Sequence, residues 1–167
     1  MNTYTRAVVA ADPDIPAISI TRDFAATPAQ LVRAHTDPDL YRKWVGPDDL
    51  ETTIDYWDAR TGGSWRFVQT RGGDTFGFHG CFHEVSDTRL VQTFTWEGQP
   101  DGVSLDTLTF EDLGDGRTRL HGRSLVDGFA VRDAILASGM ERGMTEGYAK
   151  LDRLLADGTV GAATTSR

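Results

Sequence analysis

Six consecutive segments between residues 50 and 126 are rich in the β-branched and aromatic side chains that favour strands. Only short polar turns, such as Gly72-Gly73-Asp74, separate them. Because connections this short cannot carry a crossover helix, each strand must pair antiparallel with the next. The sequence therefore predicts an antiparallel meander whose apolar face needs a cover. The predicted strands are 50–58, 64–71, 75–85, 89–96, 104–112 and 117–126.

The expected cover is the amphipathic segment 130–157, which is long enough for about seven helical turns. Three glycines recur along it at intervals of four: Gly139, Gly143 and Gly147. Each is expected to destabilise a helix interior by about 1 kcal/mol relative to alanine, so their presence needs a reason. Either the helix packs very closely on the sheet, or the missing side chains leave a cavity beneath it. Flexible methionines suit irregular apolar space, and two of them lie beside these glycines: Met140 and Met144.

The residues before the meander predict a strand and two short helices. Positions 18–24 alternate apolar and polar side chains, as a half-buried strand does. Thr27-Pro28 and Asp37-Pro38 each combine an N-cap residue with proline at the first helical position. The first residues show no periodicity, and the last are small and polar. We therefore expect three parts: a flexible arm over 1–14, one domain over 15–157 and a flexible tail over 158–167.

Composition excludes several classes of protein. The net charge of −8 argues against nucleic acid and anionic membrane surfaces as partners. There is no run of about eighteen apolar residues, so no membrane-spanning helix is expected. The first residues lack the basic and apolar regions of a secretory signal, and Cys81 is the only cysteine. We therefore expect a cytoplasmic protein without disulfides.

Six short motifs are distributed along the chain. They are Ala34-x-Thr36-Asp37-Pro38-x-Leu40-x-x-x-Trp44-x-Gly46-Pro47, Asp58-x-Arg60-x-Gly62-Gly63-x-Trp65-x-Phe67, Gly80-x-Phe82-x-Glu84-Val85, Arg89-Leu90-x-x-x-Phe94-x-Trp96, Gly116-x-Thr118-x-Leu120 and Gly143-x-x-x-Gly147-Tyr148-x-x-Leu151-x-x-Leu154. Together they resemble the START-like (SRPBCC) helix-grip superfamily. Within it, the sequence is similar to the bacterial branch related to the C-terminal domain of the activator of the ninety-kilodalton heat-shock protein ATPase. The resemblance covers about Ile18 to Leu155.

The resemblance implies an α+β helix-grip fold: a curved antiparallel sheet of about seven strands, two short helices after the first strand, and a long C-terminal helix packed on the sheet. It is compatible with three functions. The favoured one is non-catalytic binding of a small hydrophobic or aromatic molecule between sheet and helix. The alternatives are a polyketide cyclase/aromatase-like enzyme in the same cavity, and a co-chaperone-like interaction module in the stress response. A chaperone contact and a homodimer both stay open as partners.

Strand alternation places many aromatic side chains on the face that the helix would cover. Most of them are expected to form the core, and a few to line a cavity, because small-molecule sites are mostly apolar. The candidate ligand-binding residues of apolar or aromatic character are Trp44, Tyr56, Trp65, Phe67, Phe78, Phe94, Trp96, Leu108 and Phe110, together with Met140, Gly143 and Met144.

Polar residues at core-facing positions of the strands are the more informative candidates: Arg22, Gln92, Asp106 and Ser124. A buried polar group without a partner is destabilised by several kcal/mol, so these should meet one another, water or a ligand. Arg22 and Asp106 would make a buried ion pair. Our hypothesis is that Arg22 and Gln92 orient a polar group on an otherwise apolar ligand.

Metal and catalytic signals are weak. His79, Cys81 and His83 alternate along one strand and could ligate zinc or copper, but their spacing of about 7 Å is awkward for three ligands. The neighbouring phenylalanines also place them on the solvent face, so neither a metal nor another cofactor is expected. No common catalytic motif is present. If the chain is an enzyme, Asp106 or Tyr56 would be its general acid or base.

Overall fold

Every strand among residues 3–161, which the computed structural model describes, joins one curved antiparallel sheet. The eight strands are ordered β1-β2-β8-β7-β6-β5-β4-β3. The strands are β1 Val8–Ala11, β2 Ala17–Phe24, β3 Glu51–Trp57, β4 Ser64–Arg71, β5 Asp74–Val85, β6 Arg89–Trp96, β7 Val103–Gly114 and β8 Arg117–Leu125. The helices are α1 Pro28–Thr36, α2 Pro38–Trp44, α3 Phe129–Ala137 and α4 Met140–Ala156.

The predicted helix-grip fold is confirmed: the meander β3–β8 forms as expected, and α4 packs on the sheet. Both predicted N-caps form as well. The Thr27 hydroxyl accepts the amide of Gln30 at 3.3 Å, and the Gln30 side chain accepts the amide of Thr27 at 2.9 Å. The Asp37 carboxylate accepts the amide of Asp39 at 2.9 Å. None of the helices within the described range is long and apolar enough to cross a membrane.

The ends of the chain differ from prediction. The expected arm contains β1, which pairs with β2 from Val8 opposite Thr21 to Ala11 opposite Ile18, so the sheet has one strand more than expected. The expected tail is anchored at its start, because Val160 is fully buried in the core and the Gly161 carbonyl accepts the Gln30 side chain at 3.0 Å. The remainder of that predicted tail, residues 162–167, lies outside the described residues.

The prediction of one continuous helix over 130–157 is wrong at Gly139. The helix stops at Ala137, and Gly139 has a φ of 85°, in the left-handed region that glycine enters without steric penalty. This glycine is therefore the break between α3 and α4 and carries no helix-interior penalty. No residue of α3 is buried, whereas α4 buries Gly147, Tyr148 and Leu151.

Gly143 and Gly147 lie inside α4 but face the turn after α2, not the sheet. A Cβ atom on Gly147 would lie 2.9 Å from the Trp44 carbonyl oxygen, closer than real Cβ atoms approach. At Gly143 a Cβ would lie 3.4 Å from Pro47 Cδ, an ordinary contact. Close approach thus explains Gly147, whereas Gly143 has room for a Cβ atom beside Pro47.

Two clusters of buried side chains form the core. The larger one lies under the C-terminal half of α4 and includes Leu31, Leu120 and Leu151. The smaller one consists of Trp65, Phe67 and Phe82 on the meander. The C-terminal half of α4 is thus packed solidly on the sheet, and any open space must lie under α3 and the first turns of α4.

Candidate functional site

A cavity of about 750 Å³ lies in that space, between the sheet, α2 with its following turn, α3 and the first half of α4. This volume is within the range of about 300–1,000 Å³ usual for small-molecule sites. Trp96, which is 42% exposed, lies at its open edge. The walls are mostly apolar and include nine aromatic rings, which come from Tyr41, Trp44, Trp57, Trp65, Phe76, Phe78, Phe94, Trp96 and Tyr148.

A row of polar side chains crosses the floor of this cavity. Gln92 on β6 lies opposite Asp106 on β7, which lies opposite Ser124 on β8. All three share the inner face because strand register aligns them. The Ser124 hydroxyl donates to Asp106 Oδ1, while the Gln92 amide has no hydrogen-bond partner within residues 3–161. The floor therefore offers hydrogen-bonding groups that the protein itself leaves partly unused.

Asp106 is enclosed by protein yet reachable from the cavity. Burial raises the pKa of its carboxyl above the usual value, and the hydroxyls of Ser124 and Ser104 act in the opposite direction. No arginine, lysine or histidine of the described chain lies within ion-pair distance of it. Burial therefore shifts the equilibrium of this carboxyl toward its neutral form.

Side chains from the helices supply the polar groups opposite the floor. The hydroxyls of Tyr41 and Tyr148 have no hydrogen-bond partner among the described residues, and burial raises the pKa of both. His35 Nδ1 donates to the Leu31 carbonyl at 2.7 Å, which leaves Nε2 as the unprotonated nitrogen. Desolvation lowers the pKa of His35 to about 4, so the ring is neutral near pH 7.

An ion-pair network fixes the rim of the cavity. Arg71 on β4 binds Asp49 at 2.8 Å, and Arg142 on α4 binds Glu146 at 2.8 Å. Glu146 also accepts the backbone amide of Asp48 at 2.7 Å. These bonds hold the turn after α2 between β4 and α4.

Of the candidate ligand-binding residues, the structure brings the majority together around the cavity. Those that line it are Trp44, Trp65, Phe78, Gln92, Phe94, Trp96, Asp106, Leu108, Met140, Gly143 and Met144.

Three aromatic candidates lie elsewhere. Tyr56 is 47% exposed on the outer face, because a β-bulge between Ile54 and Tyr56 reverses the alternation and turns Trp57 inward in its place. Phe67 and Phe110 face inward as predicted but are buried in the two core clusters, at 1% and 2% exposure, and do not reach the cavity.

The expected ion pair between Arg22 and Asp106 does not form. Arg22 instead binds Asp152 on α4 through two bonds of 2.8 and 2.5 Å. Its guanidinium lies 4.4 Å from the ring centre of Phe24 and 5.6 Å from that of Tyr148. Arg22 thus anchors α4 to β2 beside the cavity and does not line it.

Replacing Asp152 by alanine is expected to destabilise the protein by about 2 kcal/mol, because it leaves the guanidinium of Arg22 buried without a counter-charge. The side chain of Arg22 is 8% exposed, whereas that of Asp152 is 45% exposed. Arg22→Met should therefore destabilise less, since water can solvate the remaining carboxylate. Urea denaturation measures the loss of stability in both variants.

The matched control is Glu84→Ala, which removes the cross-strand ion-pair partner of Arg89. The side chains of Arg89 and Glu84 are 48% and 37% exposed. We expect a change of about 0.5 kcal/mol or less. A loss for Asp152→Ala no larger than for Glu84→Ala would contradict the anchoring role of Arg22.

Among the lining residues that sequence reasoning missed are four with aromatic rings: His35, Tyr41, Trp57 and Tyr148. Tyr148 follows Met144 by four positions, so helical spacing already placed it on the same side of α4. Tyr41 lies three positions before Trp44 on α2, so helical spacing also places these two residues on the same side of their helix. Trp57 was hidden by the bulge in β3, which no sequence signal marks.

The alternating residues of β5 show no metal-binding arrangement. Cys81 and His83 are exposed, and His79 Nδ1 lies 3.1 Å from Glu97 Oε1. Within residues 3–161 no group of three histidine, cysteine or acidic side chains is placed to hold a metal ion.

The structure is thus a helix-grip domain with a largely apolar, aromatic-containing cavity and a row of polar side chains on its floor. A family model described as activator of Hsp90 ATPase homolog 1-like protein matches residues 25–156. The chain belongs to this family, and the resemblance seen in the sequence motifs is confirmed.

Solved structures agree with this assignment. A crystal structure of a protein from Rhodobacter sphaeroides is 30% identical, with 91% of this chain and 99% of that one covered and a TM-score of 0.80. A solution NMR structure of a protein from Arthrobacter aurescens is 22% identical, with 96% and 98% covered and a TM-score of 0.81. The AHSA1 protein from Silicibacter pomeroyi is 24% identical, with 84% and 97% covered and a TM-score of 0.65. The Arthrobacter and Silicibacter structures, at 22% and 24% identity, support the fold assignment alone. No curated protein matches the sequence.

Proposed function

We propose that this protein binds a small, largely apolar molecule in the cavity between the sheet and the helices. The observation that carries the proposal is the cavity itself: about 750 Å³ with a mostly apolar lining that includes nine aromatic rings. Protein interiors are otherwise packed about as densely as organic crystals, so a space of this size in a small domain needs a reason. A bound molecule supplies that reason.

The polar groups of the cavity support a ligand with at least one hydrogen-bonding group. The Gln92 amide and the hydroxyls of Tyr41 and Tyr148 have no protein partner within the described part of the chain. These groups line the cavity and are accessible from it, so they can hydrogen-bond to water or to a ligand there. The orienting role expected of Gln92 is kept in this proposal, whereas Arg22 has no part in it because Asp152 engages it.

The proposal is tested with N-phenyl-1-naphthylamine, a neutral probe whose fluorescence rises in apolar surroundings. We expect saturable binding, and a rise in melting temperature with probe concentration that follows mass action. Leu108→Trp fills part of the cavity and should weaken probe binding about tenfold.

Leu105→Trp is the matched control, because Leu105 is on the same strand, is 39% exposed and faces away from the cavity. We expect its affinity for the probe to match that of the unaltered protein. Absence of saturable binding, or equal weakening by the two tryptophan variants, would refute a ligand site in this cavity.

A further inference from the structure

The carboxyl of Asp106 is an acidic group facing the interior cavity without a cation from the protein. Three arginines around the cavity are already engaged: Arg22 by Asp152, Arg71 by Asp49 and Arg142 by Glu146. Arg123 also borders the cavity, but it is exposed and occupies the outward-facing position next to Ser124 on β8. The two hydroxyls beside Asp106 are neutral donors, and neither supplies a positive charge. A buried carboxylate normally has a cationic partner or is neutral. In this protein, the space beside Asp106 that a cationic partner would occupy is part of the cavity.

The walls around this position are suited to a cation as well. Trp44 and Tyr148 are stacked with ring centres 5.9 Å apart, and Tyr41 packs edge-on against Trp44 at 5.2 Å. Aromatic faces attract cations within about 6 Å of the ring centre. The protein already uses this interaction beside the cavity, where the guanidinium of Arg22 lies 5.6 Å from the ring centre of Tyr148.

The net charge of the whole protein also favours a cationic ligand. The net charge of −8 attracts cationic molecules and disfavours anionic ones. A ligand carboxylate would have to be buried near Asp106 while Arg71 and Arg142 are engaged by acidic residues and Arg123 is exposed at an outward-facing position of β8. Fatty acids and other anions are therefore disfavoured. A neutral ligand could hydrogen-bond to the carboxyl but would form no ion pair with it.

We propose that the ligand is a hydrophobic amine, bound with its ammonium group against Asp106 and the aromatic faces of Trp44, Tyr41 and Tyr148, and with its apolar part among the rings of the meander. This inference rests on the proposed function, since it specifies the ligand class of the same cavity. Burial raises the pKa of Asp106 above its usual value, and a neighbouring ammonium group would lower it again and favour the carboxylate. Binding of an amine therefore releases a proton wherever the free carboxyl is neutral.

The test compares three probes with one ring system by isothermal titration calorimetry: 2-naphthylmethylamine, 2-naphthylmethanol and 2-naphthoic acid. The amine is expected to bind about tenfold tighter than the alcohol, and the acid more weakly than both. Amine affinity should rise with pH through the pKa of Asp106, whereas alcohol affinity should not change. This comparison uses the unaltered protein and needs no variant to fold.

Asp106→Asn then assigns the effect to the carboxyl. We expect the variant to bind the amine no better than the alcohol, with its alcohol affinity within about twofold of the unaltered protein. Ser124→Ala retains the carboxyl and should keep the preference for the amine. Thermal melting of each variant verifies its fold.

The outcomes separate the two proposals. Equal affinity for amine and alcohol, or an amine preference that survives Asp106→Asn, overturns the amine inference and leaves the proposed function standing. Binding of N-phenyl-1-naphthylamine without binding of any naphthyl probe also overturns it. Failure of all four probes to bind overturns both.

Discussion

Gly147→Leu is expected to destabilise the protein by about 3 kcal/mol, the largest effect that we predict for a single substitution. A Cβ at this position would lie 2.9 Å from the Trp44 carbonyl oxygen and 3.3 Å from the Gly46 amide nitrogen, so α4 and the turn after α2 would have to separate. Such overpacking typically destabilises by about 1–3 kcal/mol, and both contacts here are to backbone, which cannot rotate away. Chemical denaturation with a two-state analysis measures the loss.

Gly143→Ala is the matched control one turn earlier in α4. Its Cβ would lie 3.4 Å from Pro47 Cδ, an ordinary contact, and alanine favours the helix by about 1 kcal/mol over glycine. We therefore expect this variant to be more stable than the unaltered protein. If the two substitutions shift stability in the same direction, close approach at Gly147 is not the reason for its glycine.

Acidification from pH 6.5 to pH 4 is expected to remove about 3 kcal/mol of stability through His35. Desolvation lowers the pKa of His35 from 6.5 to about 4 in the folded protein, and His35 is 7% exposed. Because the folded pKa is depressed, the unfolded chain binds the proton first as pH falls through 6.5. The stabilisation is complete above pH 6.5 and is lost by about pH 4, at about 1.4 kcal/mol for each unit of pKa difference.

His35→Phe should remove this part of the pH dependence, because phenylalanine keeps the ring contacts with Trp44 and Phe110 and does not titrate. Asp106 contributes with the opposite sign, since its raised pKa stabilises the fold at low pH and this stabilisation is lost as pH rises. Asp106→Asn should therefore steepen the loss on acidification. Denaturation of the unaltered protein, His35→Phe and Asp106→Asn between pH 6.5 and pH 4 tests both signs. If stability depends on pH as steeply in His35→Phe as in the unaltered protein, His35 is not the group responsible.

The fold was predictable because its signals are local. Turn residues between strands, N-caps at Thr27 and Asp37, and alternating apolar positions each specify an element without knowledge of its neighbours. Features that depend on contacts between distant elements could not be obtained in this way. The strand at Val8–Ala11 has no strong pattern of its own, and it exists because the edge of β2 is available to pair with it.

The candidate site was predictable to the extent that strand alternation holds. Gln92, Asp106 and Ser124 face inward as expected, because the register of β6, β7 and β8 is regular around them. The bulge at Ile54–Tyr56 reversed the assignment in β3, and the choice of Asp152 as the partner of Arg22 depended on where α4 lies in space. Gly139 was misinterpreted because a glycine that ends a helix and one inside a helix look alike in a repeat of four.

The break at Gly139 separates the stability of the domain from access to its interior. α3 buries no residue, so moving it away from the sheet would expose little additional apolar surface and would leave the contacts of Tyr148 and Leu151 intact. A solute could exchange with the interior while the global unfolding equilibrium stays unchanged. Amide hydrogen exchange in α3 should consequently be governed by local opening, and that in the second half of α4 by unfolding of the whole domain.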